Sequence, residues 1–223
     1  MVGLSGGGDY MLDSKETQYA LQEMGKMFPN ATTSLIADSD YHFLLAVILS
    51  AQTTDKAVNK ITPALFDRYK YPIDMAKADP KEVAKYIKTI GLYKNKAKYL
   101  VECSKMLVEN FNSVVPKTHK ELMSLSGVGR KTADVVLAER FGVPAFAVDT
   151  HVYRISKRLA IVPEDATVRE TERILMSKVP KEDWIKSHHR MIFWGRYQCM
   201  ARAPKCETCP LLEICQEGQK RIK

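Results

Sequence analysis

Two stretches with helical periodicity are joined by the segment Leu125-Ser126-Gly127-Val128-Gly129-Arg130-Lys131-Thr132-Ala133. Its two glycines flank one apolar residue, and glycine permits a positive φ and a close approach of another backbone. We expect Val128 to point inward and fix the turn. The free N–H groups at the start of the second helix would then face outward and attract a phosphate oxygen, with Arg130 and Lys131 adding positive charge. The glycine pair alone is equally compatible with an ordinary helix–helix turn.

The charge balance of the 223-residue chain favours a polyanionic partner. Lys and Arg total 34 against 26 Asp and Glu, which leaves a formal net charge of +8. Such an excess indicates nucleic acid first and an anionic membrane surface second. No apolar run reaches the roughly 18 residues needed to span a bilayer. The Gly-rich start, Met1 to Asp13, lacks the basic head and apolar stretch of a secretory signal, so we expect an intracellular protein without a membrane span.

Helical patterns run through almost the whole chain. Three predicted capping boxes mark helix starts, at Asp13 with Glu16, Thr118 with Glu121, and Thr167 with Glu170. The apolar stretch Tyr41–Ser50 suits a buried helix, although its pattern alone also allows a strand. Thr54 or Asp55 is expected to cap the next helix. Asp79-Pro80 begins a further helix, which Gly91 is expected to end. No alternating strand pattern is evident, so an all-α fold is predicted.

Four of the five cysteines are crowded near the C-terminus. Their spacing is Cys199-x6-Cys206-x2-Cys209-x5-Cys215. Four thiolates in such a short segment can surround one compact metal centre, and both structural zinc and an iron–sulfur cluster accept four cysteines. Disulfides are the alternative, which an intracellular location disfavours. Cys103, in an apolar helical stretch, is expected to be a buried core residue.

Several segments together resemble the endonuclease III superfamily of DNA glycosylases, over about residues 15–218. The hairpin is similar to the family's L-P-G-V-G-R-K-T-A, with Ser126 in the place of a proline that stiffens the turn but carries no chemistry. The other similar segments are V-D-T-H at 148–151, S-A-Q-x-T-D at 50–55, I-G-L-Y-x-x-K-A at 90–97, and the cysteine spacing.

The resemblance implies an all-α fold of two helical lobes with a DNA-binding cleft between them. One lobe is a six-helix bundle over 33–143 that contains the helix–hairpin–helix at about 118–140. The other combines 1–32 with 144–223 and holds a [4Fe–4S] cluster. Its implied ligands are Cys199, Cys206, Cys209 and Cys215.

The implied activity is that of a bifunctional DNA glycosylase and AP lyase that removes oxidised pyrimidines from duplex DNA. Lys131, expected to be partly buried in the first turn of its helix, would attack C1′, expel the base and form a Schiff base, and β-elimination would cut the strand 3′ to the site. The residues around Asp149 predict that it is the N-cap of a helix. A carboxylate held in that way could also stabilise positive charge on the sugar and move protons. The implied partner is duplex DNA with damaged bases or abasic sites, bound by a monomer without a membrane. The location would be the bacterial nucleoid in the cytoplasm, or the nucleus or mitochondria in a eukaryote.

Further residues are implied in DNA binding. The hairpin residues Gly127, Gly129 and Arg130 would contact a phosphate. Arg202 and Lys205 lie between the first two cysteines, where they either touch the DNA backbone or form a solvated basic loop. His151 either contacts a phosphate or packs on its own helix.

Two segments are similar to the family's insertion loops, which fill the gap left when a nucleotide is flipped out of the duplex. They would place Gln52 and Leu92 in the duplex. From the residues alone, Gln52 could instead cap a helix, and Leu92 could attach its helix end to the core. Asp55 either reads the damaged base or caps its helix.

Three other functions are compatible with parts of the sequence. A monofunctional mismatch glycosylase of the same superfamily would have another residue in place of Lys131. A non-catalytic helix–hairpin–helix protein would need no nucleophile paired with a rigid carboxylate. A zinc-stabilised structural module would use the four cysteines but not the hairpin.

Overall fold

The computed structural model describes residues 10–223, and this part of the chain is helical without a β-strand. It contains twelve α-helices and two short 3₁₀ turns. The helices are α1 Ser14–Met27, α2 Asp40–Ser50, α3 Asp55–Arg68, α4 Pro72–Ala76, α5 Pro80–Tyr86, α6 Tyr93–Asn110, α7 His119–Ser124, α8 Arg130–Phe141, α9 Thr150–Arg158, α10 Val168–Lys178, α11 Trp184–Tyr197 and α12 Gln216–Arg221. None of the helices in the described range is long and apolar enough to cross a membrane.

Local hydrogen bonds explain where most helices begin. The capping boxes predicted at Asp13 and Thr167 are both present. Thr118 accepts a hydrogen bond from the Glu121 amide, which is the N-cap half of the third predicted box. Thr54, not Asp55, caps α3 through the Ala57 amide. Each of these side chains satisfies an amide that has no partner inside its helix.

Burial decides the structure of the apolar stretch that the sequence left open. Residues 41–49 of α2 are all buried, so this segment is a helix surrounded by core on every side. It packs against α3, α6 and α8. A helix covered in this way shows no amphipathic period, because no face has to be polar.

The prediction that Gly91 ends the helix begun at Asp79-Pro80 is wrong. That helix, α5, ends at Tyr86, and the following Ile87 and Ile90 are almost fully buried. Because these two side chains turn into the core, the chain leaves the helix before it reaches the glycine. Gly91 instead lies exposed just before α6.

The chain divides into two compact units. The central unit is Thr33–Ala145, and the terminal unit combines the chain up to Thr32 with Phe146–Lys223. The central unit contains six helices of at least six residues together with the five-residue α4. The buried helix α2 contributes more side chains to its core than any other helix. The terminal unit has a separate core that includes the buried Phe146 and Trp194.

Candidate functional site

The hairpin between α7 and α8 requires a glycine at its first glycine position. Gly127 has a φ of +76°, and a Cβ at this position would stand 2.8 Å from the Cβ of Tyr99 and 3.2 Å from the Cγ2 of Ile48. Both the left-handed backbone and the crowding therefore exclude a larger residue. Val128 is buried, as predicted. The hairpin is thus a rigid turn packed on α2 and α6.

The second glycine of the hairpin, Gly129, lies in open space. It is the N-cap of α8 with a φ of −89°, and a Cβ here would have no atom within 4 Å. Neither strain nor internal packing requires glycine at this position. No side chain in residues 10–223 caps the start of α8. The first amides of this helix are consequently available to an external acceptor.

Ser126, the departure from the family pattern, has a partner of its own. Its hydroxyl donates a hydrogen bond of 2.8 Å to Oε2 of Glu102 in α6. A proline would restrict the turn covalently, whereas here the side-chain hydrogen bond ties the turn to the neighbouring helix.

Lys131 is the second residue of α8, beside this uncapped helix start. Lys131 is exposed, so the prediction that it is partly buried is wrong. The core-facing positions of α8 belong to Ala133, Val136 and Leu137. The side chain therefore projects from a fixed helix turn while its amine is open to an incoming molecule.

Asp149 is the N-cap of α9, as predicted. Its Oδ1 accepts hydrogen bonds from the amides of His151 at 2.9 Å and Val152 at 2.8 Å. These two bonds and the positive end of α9 hold the carboxylate in one orientation. Asp149 belongs to the terminal unit, whereas Lys131 belongs to the central unit.

His151 is packed inside the terminal unit. Its Nδ1 lies 3.2 Å from Nη2 of Arg154, and a Cβ on Gly195 would stand 2.8 Å from its ring. Burial lowers the pKa of His151, and the positive charges of Arg154 and Arg196 add to this effect against the opposing charge of Asp149. An arginine can only donate, so Nδ1 accepts in the contact with Arg154. Packing is therefore observed, and a phosphate contact through Nε2 is compatible with it.

Each of the two segments similar to insertion loops contains one strained, exposed residue. Gln52 has a φ of +54° and Leu92 a φ of +57°. Residues other than glycine rarely adopt this conformation. Leu92 is 57% exposed, so it does not attach its helix end to the core. Gln52 does not cap α3, because Thr54 does. The alternative roles considered for these two residues are therefore wrong.

Asp55 is the first residue of α3 and does not serve as its cap. It is half-buried, and the hydroxyl of Ser34 donates a hydrogen bond of 2.5 Å to its Oδ2. The carboxylate is thus fixed within the central unit.

The four clustered cysteines line one pocket. No three His, Cys, Asp or Glu side chains of residues 10–223 are grouped closely enough to hold a single metal ion. A four-iron cluster takes one thiolate at each iron, so its ligands stand further apart than those of one ion. Burial raises the pKa of Cys215 to about 11 and also raises that of Cys209. Such thiols become thiolates when a metal binds them. The donor set therefore fits an iron–sulfur cluster.

Cys103 is a different kind of cysteine. It is fully buried in α6, and burial raises its pKa to about 12. It is an inert core residue, as predicted.

Two arginines on α9 were missed in the sequence. Arg154 donates to the carbonyl oxygens of Gly195 at 2.9 Å and Cys199 at 3.0 Å. Arg158 donates to the carbonyl of Met200 at 2.8 Å and approaches Sγ of Cys199 at 3.4 Å. The two side chains hold the chain where it enters the cysteine segment. Their spacing of four residues, which places them on one helix face, was the available signal.

The basic residues of the cysteine segment lie on a fixed backbone. Gln198 accepts a hydrogen bond from the amide of Lys205 at 3.0 Å and donates to its carbonyl at 2.8 Å. Both Arg202 and Lys205 have exposed side chains. The loop between Gln198 and Lys205 therefore has a fixed backbone and carries two positively charged side chains that face solvent.

Comparison with known proteins defines the class of this protein. The family model of HhH-GPD superfamily base excision DNA repair proteins matches residues 45–181. The model of the iron–sulfur binding domain of endonuclease III matches residues 199–215, from the first clustered cysteine to the last. The helix–hairpin–helix and the cysteine centre thus define a base excision DNA repair protein with an iron–sulfur domain.

Individual relatives specify the family. Endonuclease III of Bacillus subtilis (strain 168) is 51% identical over 96% of this chain and 97% of its own length. That of Escherichia coli (strain K12) is 42% identical over 86% of this chain and 90% of its own. A solved structure of a trapped endonuclease III–DNA covalent intermediate is 49% identical, with a TM-score of 0.93 over 96% of this chain and all of that one. A non-covalent endonuclease III–DNA complex has a TM-score of 0.92 at 50% identity, over 95% of this chain and 99% of its own.

The chain belongs to the endonuclease III family. It is a DNA glycosylase and AP lyase of base excision repair and carries a [4Fe–4S] cluster. The all-α fold, the enzyme class and the cofactor implied by the resemblance are therefore confirmed.

Proposed function

We propose that this enzyme excises oxidised pyrimidines from duplex DNA through a covalent bond to Lys131. The observation that carries the proposal is the placement of an exposed lysine in the first turn of α8, directly after the rigid hairpin. Further support comes from the trapped covalent complex of an endonuclease III that is 49% identical to this chain. A covalent protein–DNA intermediate requires a nucleophile on the protein.

The proposed reaction has three steps. Nζ of Lys131 attacks C1′ of the damaged nucleotide as the bond from C1′ to the base breaks, and the base departs with the bonding electrons. Transfer of an amine proton to O4′ as the bond between C1′ and O4′ breaks opens the sugar ring and gives a protonated Schiff base between Nζ and C1′. Removal of a proton from C2′ then breaks the bond between C3′ and its oxygen, which cuts the strand 3′ to the site by β-elimination.

Asp149 is the second proposed catalytic residue. Its carboxylate is fixed by two amide hydrogen bonds to a single oxygen, which leaves Oδ2 outside those bonds. A fixed anion needs no reorganisation when positive charge develops on the sugar, so it lowers the barrier to base expulsion. The same carboxylate can exchange protons with the departing base or the lysine amine.

Phosphate binding is proposed for the hairpin and the cysteine segment. Gly129 leaves open space at the uncapped start of α8, where a phosphate oxygen can approach the amides. Gly127 keeps the turn in shape, and Arg130 adds charge. In the terminal unit, His151 is proposed to donate from Nε2 to a second phosphate.

The cysteine segment has a proposed structural role. Cys199, Cys206, Cys209 and Cys215 are the proposed ligands of the cluster. When bound, the cluster cross-links a segment that contributes few side chains to the core. It thereby fixes the loop that carries Arg202 and Lys205 against the DNA backbone.

Gln52 and Leu92 are proposed to fill the space vacated by the flipped nucleotide. Both are exposed on backbones that only a well-determined surrounding can maintain. Asp55, which is fixed by Ser34 in the same segment as Gln52, is proposed to contact the damaged base.

The remaining proposals concern organisation. The central unit would be the six-helix domain predicted over 33–143, and the terminal unit the cluster domain predicted over 1–32 and 144–223. We propose that the enzyme acts as a monomer. Since the compared relatives are bacterial, the proposed location is the nucleoid in the cytoplasm.

Borohydride trapping tests the nucleophile. A duplex with one thymine glycol is incubated with the enzyme and borohydride, which reduces a Schiff base to a permanent adduct. The wild type should give a covalent band that Lys131→Gln abolishes. Lys120→Gln is a matched control, because Lys120 is likewise the exposed second residue of its helix, α7, and it should retain the band. Tight DNA binding without a band in any of these proteins would contradict the proposed lyase mechanism.

A further inference from the structure

A lysine without an assigned role is buried inside the central unit. Lys96, on α6, is only 3% exposed. Lysine is almost never buried to this degree unless it is paired. Its Nζ donates hydrogen bonds to the carbonyl oxygen of Leu49 at 2.9 Å and to Oγ1 of Thr53 at 2.7 Å. Both acceptors are neutral, and burial lowers the pKa of Lys96. Burying an ammonium group without an anionic partner is costly, so apolar packing alone does not account for a lysine at this position.

The contacts of Lys96 lie beside both proposed wedge residues, Gln52 and Leu92, which would fill the space vacated by the flipped nucleotide. Leu49 precedes Gln52 by three residues, and Thr53 follows it directly. The backbone amide of Lys96 donates to the carbonyl oxygen of Leu92 at 3.0 Å. The Lys96 side chain therefore ties the turn at Gln52 to the first turn of α6, whose N-cap is Leu92.

Both turns need such support. Gln52 and Leu92 have left-handed backbones without being glycine, and such conformations persist only where neighbouring groups determine them fully. Their exposed side chains make few contacts of their own that could do so. The buried ammonium group supplies fixed hydrogen bonds on the inner side of the first turn.

We propose that Lys96 is a positioning residue that holds the two insertion loops in register, so that Gln52 and Leu92 enter the duplex together. The inference rests on the wedge function proposed above for these two residues. It assigns Lys96 no contact with DNA. Its loss should therefore impair the reaction on duplex DNA, where the vacated space must be filled, and spare the chemistry at an abasic site in a single strand.

A second lysine whose Nζ donates to neutral acceptors provides a control. Lys178, in the terminal unit, is half-buried and donates through Nζ to the carbonyl oxygens of Leu12 at 2.5 Å and Ile161 at 2.8 Å. Burial lowers its pKa as well. Its hydrogen-bond acceptors are neutral like those of Lys96, although the charges of Asp13 and Glu16 also act on it, and it holds neither insertion loop. Lys178→Met thus reports the effect of removing a lysine that donates to neutral acceptors away from the insertion loops.

The experiment compares single-turnover trapping rates of the cluster-containing enzyme on two substrates. One is a duplex with a central abasic site, and the other is the same strand without its complement, which has no gap to fill. Lys96→Met should lower the ratio of duplex to single-strand rates about tenfold, with the single-strand rate within twofold of wild type. Lys178→Met should leave the ratio unchanged. Thr53→Val, which removes one acceptor and keeps the lysine, should lower the ratio about threefold and serves if Lys96→Met does not fold.

Gln52→Ala and Leu92→Ala separate the two proposals. If both alanine variants lower the ratio of duplex to single-strand rates while Lys96→Met and Thr53→Val leave it unchanged, the function proposed for Gln52 and Leu92 is supported and the role proposed for Lys96 is wrong. If Lys96→Met lowers both rates equally, the lysine is only structural and the inference is also wrong. If neither alanine variant changes the ratio, the wedge function itself is wrong, and the inference that rests on it is withdrawn.

Discussion

The hairpin and the cysteine segment are both short and rich in turns, but different forces hold them. The hairpin is fixed by apolar packing, since Val128 is buried and Gly127 lies against Tyr99 and Ile48. The cysteine segment is held by hydrogen bonds from Arg158 and Gln198, and by its metal centre. A closely packed turn is destabilised when a substitution adds atoms to it. A segment held by a metal centre is destabilised when a substitution removes one of the metal ligands. The two regions should therefore fail under different substitutions.

The largest effect is expected from loss of a metal ligand. Cys209→Ala should lose its iron and destabilise the terminal unit by on the order of 5 kcal/mol, because loss of a structural metal is among the most damaging changes a protein can undergo. Iron content, the brown colour of the protein and proteolysis of the cysteine segment report the change. Cys103→Ala is the control, since this thiol lies in the other core. Full iron content in Cys209→Ala would show that this cysteine is not a ligand.

The next effect is expected at the hairpin. Gly127→Ala should destabilise the central unit by about 2–4 kcal/mol, since it combines a positive φ with a Cβ 2.8 Å from that of Tyr99. Gly129→Ala should cost less than ~1 kcal/mol, because its Cβ would meet open space. It should nevertheless weaken DNA binding if a phosphate approaches there. Thermal unfolding and DNA titration measure the two quantities, and equal stability losses in both variants would contradict the packing argument.

An intermediate effect is expected from Arg158, which joins α9 to the cysteine segment. Arg158→Met keeps much of the side-chain length but removes its hydrogen bonds to Met200 and Ala201. A loss of about 2 kcal/mol is expected, together with faster release of iron to a chelator. Arg169→Met, at an exposed site on α10, is the comparison. If both variants release iron at the wild-type rate, the arginine does not stabilise the segment.

The smallest effect is expected at Ser126. Ser126→Pro removes the hydrogen bond to Glu102 but restricts the unfolded chain, and the preceding Leu125 has the extended backbone that proline requires. The net change in stability should be within ~1 kcal/mol. Glu102→Ala should cost about 0.5–1 kcal/mol in the wild type and nothing in the proline variant. A double-mutant cycle measures the coupling, and additive effects would show that the hydrogen bond contributes nothing.

The sequence was a good guide where a contact spans a few residues. The caps at Asp13, Thr167 and Asp149 were predicted because each side chain bonds to an amide two or three positions away. The hairpin glycines and the cysteine spacing are similarly local. Gly91 was misjudged as a helix end, since burial of Ile87 ended that helix first. A local rule fails when a distant core offers more free energy than the local signal.

By itself, then, the sequence determined the helix starts, the hairpin, the ligand-like cysteines and the family. The tertiary structure alone decided that Tyr41–Ser50 is a helix and that Leu92 is exposed and not attached to the core. It also revealed Lys96 and Arg158, whose acceptors lie more than forty positions away in the chain. No periodicity or motif encodes such contacts, because they exist only once separate helices have packed together.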